Sequence, residues 1–282
     1  MTHVWGPAIE EEFARIERLD NPGSFEVWLI IDAKTPGAMD IAKRYEHCHI
    51  FSVNELFRRL PYPWLKEGTL YSQSHFPILD FYLSHREYNY YWVIEFDVRY
   101  TGDWGSLLNS YGAFDHDLIA CHIRQINDEP DWWWWDSFGH PAKTIDWTGY
   151  LRSINVIYRI SNRALLLVND AQQDGWRGHP EVLIPTLLHH NGCKLLDFGG
   201  DGKFTLPDLR NTFYTSGSTR DGVPSPFGTY RWKPSRAKAG MCRNKMYHPV
   251  KPRSMMEQPV ERVRFFVRWS WKYVCEYLKR QR

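Results

Sequence analysis

Apolar residues recur along this 282-residue chain in two rhythms. Ala8, Ile9, Phe13, Ile16 and Leu19 fall at helical spacing with Glu10 to Glu12 on the other face, which predicts a first helix. "FEVWLIID" (25–32) reads as a buried strand, "PGAMDIAKRY" (36–45) as a helix opened by proline, and "HIFSV" (49–53) as a second strand. "YSQSHFPILDFYLSHR" (71–86) predicts a helix feeding a strand at "YYWVI" (90–94), with Pro77 either kinking that helix or standing near its start. Further strands are expected at 117–123, 154–161 and 193–198, and helices at 162–173 and 180–191. Strands alternating with helices predict an α/β fold with a mostly parallel sheet flanked by helices on both faces. The expected organisation is one domain of two abutting halves, 1–104 and 105–255, followed by a basic amphipathic helix over 256–282.

Composition changes this picture in one respect: 14 Trp, 16 Tyr and 15 Phe are an aromatic excess suited to stacking on flat ligands and to filling cores. A net charge of +2 argues against a nucleic-acid binder. The charge is uneven, because Gly222 to Met256 holds no Asp or Glu but eight Lys and Arg. Five scattered cysteines without a CxxC pair look like free thiols. With no signal peptide and no apolar run of ~18 residues, a cytoplasmic location is expected.

Candidate chemistry starts at "YYWVIEFDVRYTGDW" (90–104). Alternation along a strand would project Glu95 and Asp97 from one face at its carboxyl end. Two carboxylates so close call for a cation or hydrogen-bond donors, although a strand reaching water would read the same way. In an open α/β sheet ligands bind beyond the carboxyl ends of strands, and Asp32 falls at another such end.

"WVIEFDVRYTGDW" (92–104) resembles the acidic metal-binding motif of GT-A glycosyltransferases, most closely that of a poorly characterised fungal and bacterial family with E-x-D-V-R-Y-T-G. "GHPEVLIPTLLHHNG" (178–192) is similar to the stretch in which inverting members place a catalytic carboxylate, and "KMYHPVKPR" (245–253) to their C-terminal histidine segment. The resemblance implies a GT-A-like, Rossmann-type fold and a metal-dependent, inverting transfer of sugar from a nucleotide-sugar donor to a glycan or lipid-linked acceptor. Residues 1–104 would then bind the donor, and 105–255 the acceptor. The sequence departs from the pattern in having Glu95 at the first motif position and almost no room for a first strand.

The resemblance also implies site residues. Asp97 is the first-choice ligand of Mn²⁺ or Mg²⁺, and His248 the second, because imidazole suits Mn²⁺; Glu95 would contact the metal, a water or ribose. Asp32, Lys251 and Arg253 would complete the donor site, though a basic run is also an ordinary solvated face. Glu181 would be the general base, unless "HPE" is only a helix start with Pro180 at its first position.

Four consecutive tryptophans (132–135) between Asp131 and Asp136 cannot all be core. Trp133, Trp134, Asp136 and His179 are expected to bind the acceptor; an aromatic plug between the halves is the other reading. In the tail, Val263, Phe266, Val267, Trp271, Val274 and Leu278 recur at helical spacing beside Arg264, Arg268 and Lys272. Such a helix can lie on an anionic membrane surface or pack on the body. Two further functions fit less of the sequence: a carbohydrate-binding protein with a degenerate site, and a metal-dependent phosphoester hydrolase.

Overall fold

The computed structural model of the chain describes residues 1–21, 23–60, 62 and 73–280. Its architecture is mixed α/β. α1 (Pro7–Glu17) opens on proline, whose missing N–H has no partner to lose in a first turn. β1 (Leu29–Asp32) and β2 (Cys48–Phe51) pair in parallel, with α2 (Ala38–Ala42) as their crossover. α3 (Val53–Arg59) and α4 (Phe76–Ser84) lead into β3 (Tyr90–Ile94). Pro77 stands in the first turn of α4, so no kink is needed. Residues 71–72, where the apolar pattern began this helix, lie outside the described residues.

After β3 come β4 (Arg99–Tyr100), α5 (Trp104–Asn109), β5 (Leu118–Gln125) and β6 (Leu151–Ser161). α6 (Asn162–Asp174), α7 (Pro180–His190), β7 (Leu195–Asp197), β8 (Met246–Tyr247) and α8 (Pro259–Arg280) complete the chain. The main sheet has the order β3-β6-β5-β7. Its β3–β6 and β6–β5 pairs are antiparallel and its β5–β7 pair is parallel. This corrects the expectation of a mostly parallel sheet. Residues 126–150, between β5 and β6, carry short 3₁₀ turns but no crossover helix, so the strand returns reversed. Where α6 and α7 intervene, β7 does arrive parallel to β5. Pairing of β3 with β6 also crosses residue 105, so the two stretches share one sheet.

The short extended segment at residues 1–2 links the two sheets. Thr2 N–H donates to Ile30 O at 2.8 Å, Asp32 N–H donates to Thr2 O at 3.0 Å, and the Met1 amino group donates to Ile94 O at 2.8 Å. Strand alternation divides the core. Leu118, Ala120, Tyr158 and Ile160 pack with α4, α6 and α7, whereas Ile119, Cys121 and Ile157 pack with α5 and the 198–230 segment.

Candidate functional site

The ladder between β3 and β6 extends one residue past β3, through Glu95 N–H to Val156 O at 2.9 Å; Val98 N–H then turns back to Glu95 O at 3.1 Å. A tight turn, rather than alternation along one strand face, therefore brings Glu95 and Asp97 together. β4 pairs with β8, Arg99 opposite Tyr247, and Val250 N–H donates to Asp97 O at 2.8 Å. This short ladder carries His248 to the acidic turn. One potential ligand atom each from Glu95, Asp97 and His248 lie within 4.8 Å of one another.

The electrostatics of the cluster suit a cation. His248 Nδ1 lies 2.9 Å from Arg231 O, and since a carbonyl only accepts, Nδ1 carries the proton. Burial holds this imidazole below its ordinary pKa, so it is neutral and its Nε2 lone pair lies 3.6 Å from Asp97 Oδ1. Asp97 is buried, and its Oδ1 has no hydrogen-bond partner among the described residues. Lys251 Nζ stands 3.6 Å from the other oxygen. Burial, then repulsion from Asp97, pushes Glu95 up to about 8, and Glu181 adds to the push. Two hard carboxylates and a neutral imidazole, one with an unsatisfied buried oxygen, fit a divalent cation.

Glu181 lies in the first turn of α7 behind the N-cap His179. His179 Nδ1 accepts Glu181 N–H at 3.4 Å, while His179 N–H donates to Ser137 Oγ at 3.0 Å. Trp134 stacks on the imidazole, with ring centres 4.5 Å apart and planes inclined by 16°. Burial raises Glu181 to about 7, offset in part by Arg152. Glu181, Glu95, Asp97 and His248 all line one cleft of about 440 Å³.

That cleft also collects Lys251, His179, Trp133 and Trp134 from the residues expected at the site. Three others stand outside it. Asp32 is buried at the end of β1, where its Oδ1 accepts Lys34 N–H at 2.9 Å and so serves its own turn. Arg253 and Asp136 are exposed on short 3₁₀ turns and do not line the cleft. The tryptophan quartet is split: Trp132, Trp133 and Trp134 line the cleft, while Trp135 is core, its Nε1 donating to Glu129 O at 2.8 Å.

Arg152, Arg231, Trp232 and Lys233 line the cleft without having been singled out for it. The acid-free stretch 222–256 was a signal for Arg231 and Lys233. Arg152 had none, because it sits inside β6. Its Nη1 donates to Glu129 Oε2 at 3.0 Å and Gly222 O at 2.9 Å, and its guanidinium lies 4.1 Å over Trp132.

All five cysteines are unpaired. Among the described residues, no helix is long and apolar enough to cross a membrane. No curated protein matches the chain. Among solved structures it is similar to mouse xyloside xylosyltransferase 1 in its apo form, at 12% identity and a TM-score of 0.34, over 68% of this chain and 80% of that one. A family model described as "Protein of unknown function (DUF3405)" matches residues 39–118, which run from α2 through the Glu95–Asp97 turn to the start of β5.

Proposed function

We propose that this protein is a metal-dependent, inverting glycosyltransferase that moves a sugar from a nucleotide-sugar donor to a hydroxyl of a glycan or lipid-linked acceptor. The observation that carries this reading is the meeting of Glu95, Asp97 and His248 in one cleft with Glu181. Asp97 and His248, with Glu95 as the third ligand, would hold Mn²⁺ or Mg²⁺, which when bound supplies positive charge for the departing diphosphate. Lys251, beside Asp97, adds a cation for the same phosphates.

Glu181 takes the proton of the attacking hydroxyl. A carboxylate raised to about 7 is ionised in half the molecules at neutral pH and is basic enough to accept that proton. Attack on the face opposite the leaving diphosphate inverts the anomeric carbon in one step. Neutral His179, with Nδ1 occupied by the Glu181 N–H, offers an Nε2–H donor to an acceptor hydroxyl. Trp133 and Trp232, with ring centres 5.8 Å apart and both nearly half exposed, offer a stacking platform for a sugar face.

The test is a thermal-shift and calorimetric panel of nucleoside diphosphates with and without Mn²⁺. Binding that requires the cation is expected. Equal affinity in excess EDTA would overturn the metal assignment. With a turned-over donor, NMR of the product's anomeric configuration decides inversion.

A further inference from the structure

α8 meets the body along one face only. Trp269 Nε1 donates to Val223 O at 3.2 Å, Lys272 pairs with Asp221, and Glu276 accepts Arg220 N–H at 3.2 Å. Phe266 and Trp269 both pack on Phe227, with ring centres 5.2 and 5.9 Å apart. At about 3.6 residues per turn, Val260, Val263, Val267, Trp271, Val274 and Leu278 fall within an arc of about 80° on the opposite side. All six are exposed, from 46% at Val274 to 72% at Trp271. From Val260 to Leu278 the stripe runs about 27 Å along the helix.

The flanks say what covers it. Arg264, Arg268 and Lys279 are exposed on one side of the stripe and enter no salt bridge among the described residues. The other side carries Ser270 and Tyr277. The flanks offer one acid, Glu261, and its Oε2 already accepts Gln258 N–H at 3.1 Å. A second copy brought against the stripe would therefore have little acid to set against these cations. An anionic surface would answer them along the whole helix. An apolar stripe with Trp and Tyr beside a basic flank is the composition that buries shallowly in the headgroup region of a bilayer.

We propose that the exposed stripe of α8, with Arg264, Arg268 and Lys279, binds an anionic bilayer with the helix lying in the plane of the surface. The docked face stays on the body, so the residues joined to α8 at 220–233 remain braced while the stripe is engaged. This goes beyond the reading of the cleft and stands whether or not that cleft transfers sugar.

Co-sedimentation of the full chain with phosphatidylcholine vesicles, with and without phosphatidylserine, tests it. Binding is expected only with the anionic lipid and is expected to fall with added salt. Arg264→Gln with Arg268→Gln should weaken binding about 30-fold, and Val267→Glu with Trp271→Glu should abolish it. Thermal melts of all variants should match the parent, because these side chains are exposed. Equal binding to neutral vesicles, or binding unmoved by both pairs of substitutions, would overturn the proposal. So would a dimer, seen by light scattering and lost in the double-Glu variant, in a protein that ignores vesicles.

Discussion

The carbonyl of Arg231 receives the Nδ1 proton of His248 at 2.9 Å. One backbone contact thereby selects the tautomer in which Nε2 is free to bind a cation next to Asp97. Such partners orient an imidazole ligand and strengthen it as a base. His248→Ala should weaken Mn²⁺ binding by tenfold or more, about the scale of losing a ligand or its support. Asp97→Asn should abolish binding while leaving the thermal melt close to the parent's. Calorimetry with Mn²⁺ reads both, and unchanged affinity in Asp97→Asn would remove Asp97 from the site.

Metal binding should depend on pH through Glu95. Its folded pKa, about 8, exceeds its ordinary value of 4.5, so at neutral pH a ligand must first lose a proton. Apparent affinity should rise by up to about tenfold per pH unit below 8 and level off above it. The stability of the metal-free protein has the opposite sign. Between 4.5 and 8 the folded state binds more protons than the unfolded one, so this contribution is present below pH 4.5 and lost as pH rises through 8. Denaturant midpoints across that range should fall with pH at Glu95's expense, and Glu95→Gln should remove that part of the slope.

Glu181→Gln should leave donor affinity nearly unchanged and lower turnover by ~10²-fold or more. In the parent, turnover should rise with pH through about 7 as Glu181 ionises. The variant should lack that limb. Near-normal turnover would reduce Glu181 to the first-turn residue that its place in α7 also allows.

Trp133→Ala and Trp232→Ala should raise the acceptor KM several-fold with little change in stability. Both residues are nearly half exposed, so truncation opens no enclosed cavity. Trp135→Ala differs only in position along the quartet and should cost about 3–5 kcal/mol of stability, because that ring is core. A urea titration of each variant separates the two roles.

Gly222→Ala tests the cleft wall. Gly222 has φ of 70°, and a Cβ there would run into Arg152 and Trp132. The loop must shift, and Arg152 loses its place over the indole. We expect about 1–3 kcal/mol lost in denaturation and weaker ligand binding in the same protein.

Much of the secondary structure was legible in the sequence because side-chain periodicity reports local geometry. α6 and α7 lie close to where their apolar spacing put them, and Pro180 marks the start of α7 as expected. β5 and β6 were legible from their apolar cores, Leu118–Cys121 and Ile154–Ile160, although buried Arg124, Arg152, Asn155 and Arg159 interrupt the two strands. The gathering of Glu95 with Asp97 was legible for an incomplete reason: two residues apart, they meet through a turn as readily as along a strand.

Tertiary structure decided what local pattern cannot encode. The sense of pairing in the main sheet depends on whether 126–150 crosses over or returns, and its aromatic run specifies neither. His248 reaches Asp97 only because β8 pairs with β4, two-residue strands too short to show periodicity. Asp136 and Arg253 have the right chemistry for a sugar and a phosphate, yet their turns leave them outside the cleft, while Arg152 enters it from within a fully buried strand. Sequence alone specified which side chains have useful chemistry and the local elements that carry them. Their common address required contacts between residues far apart in the chain, which no window of neighbours contains.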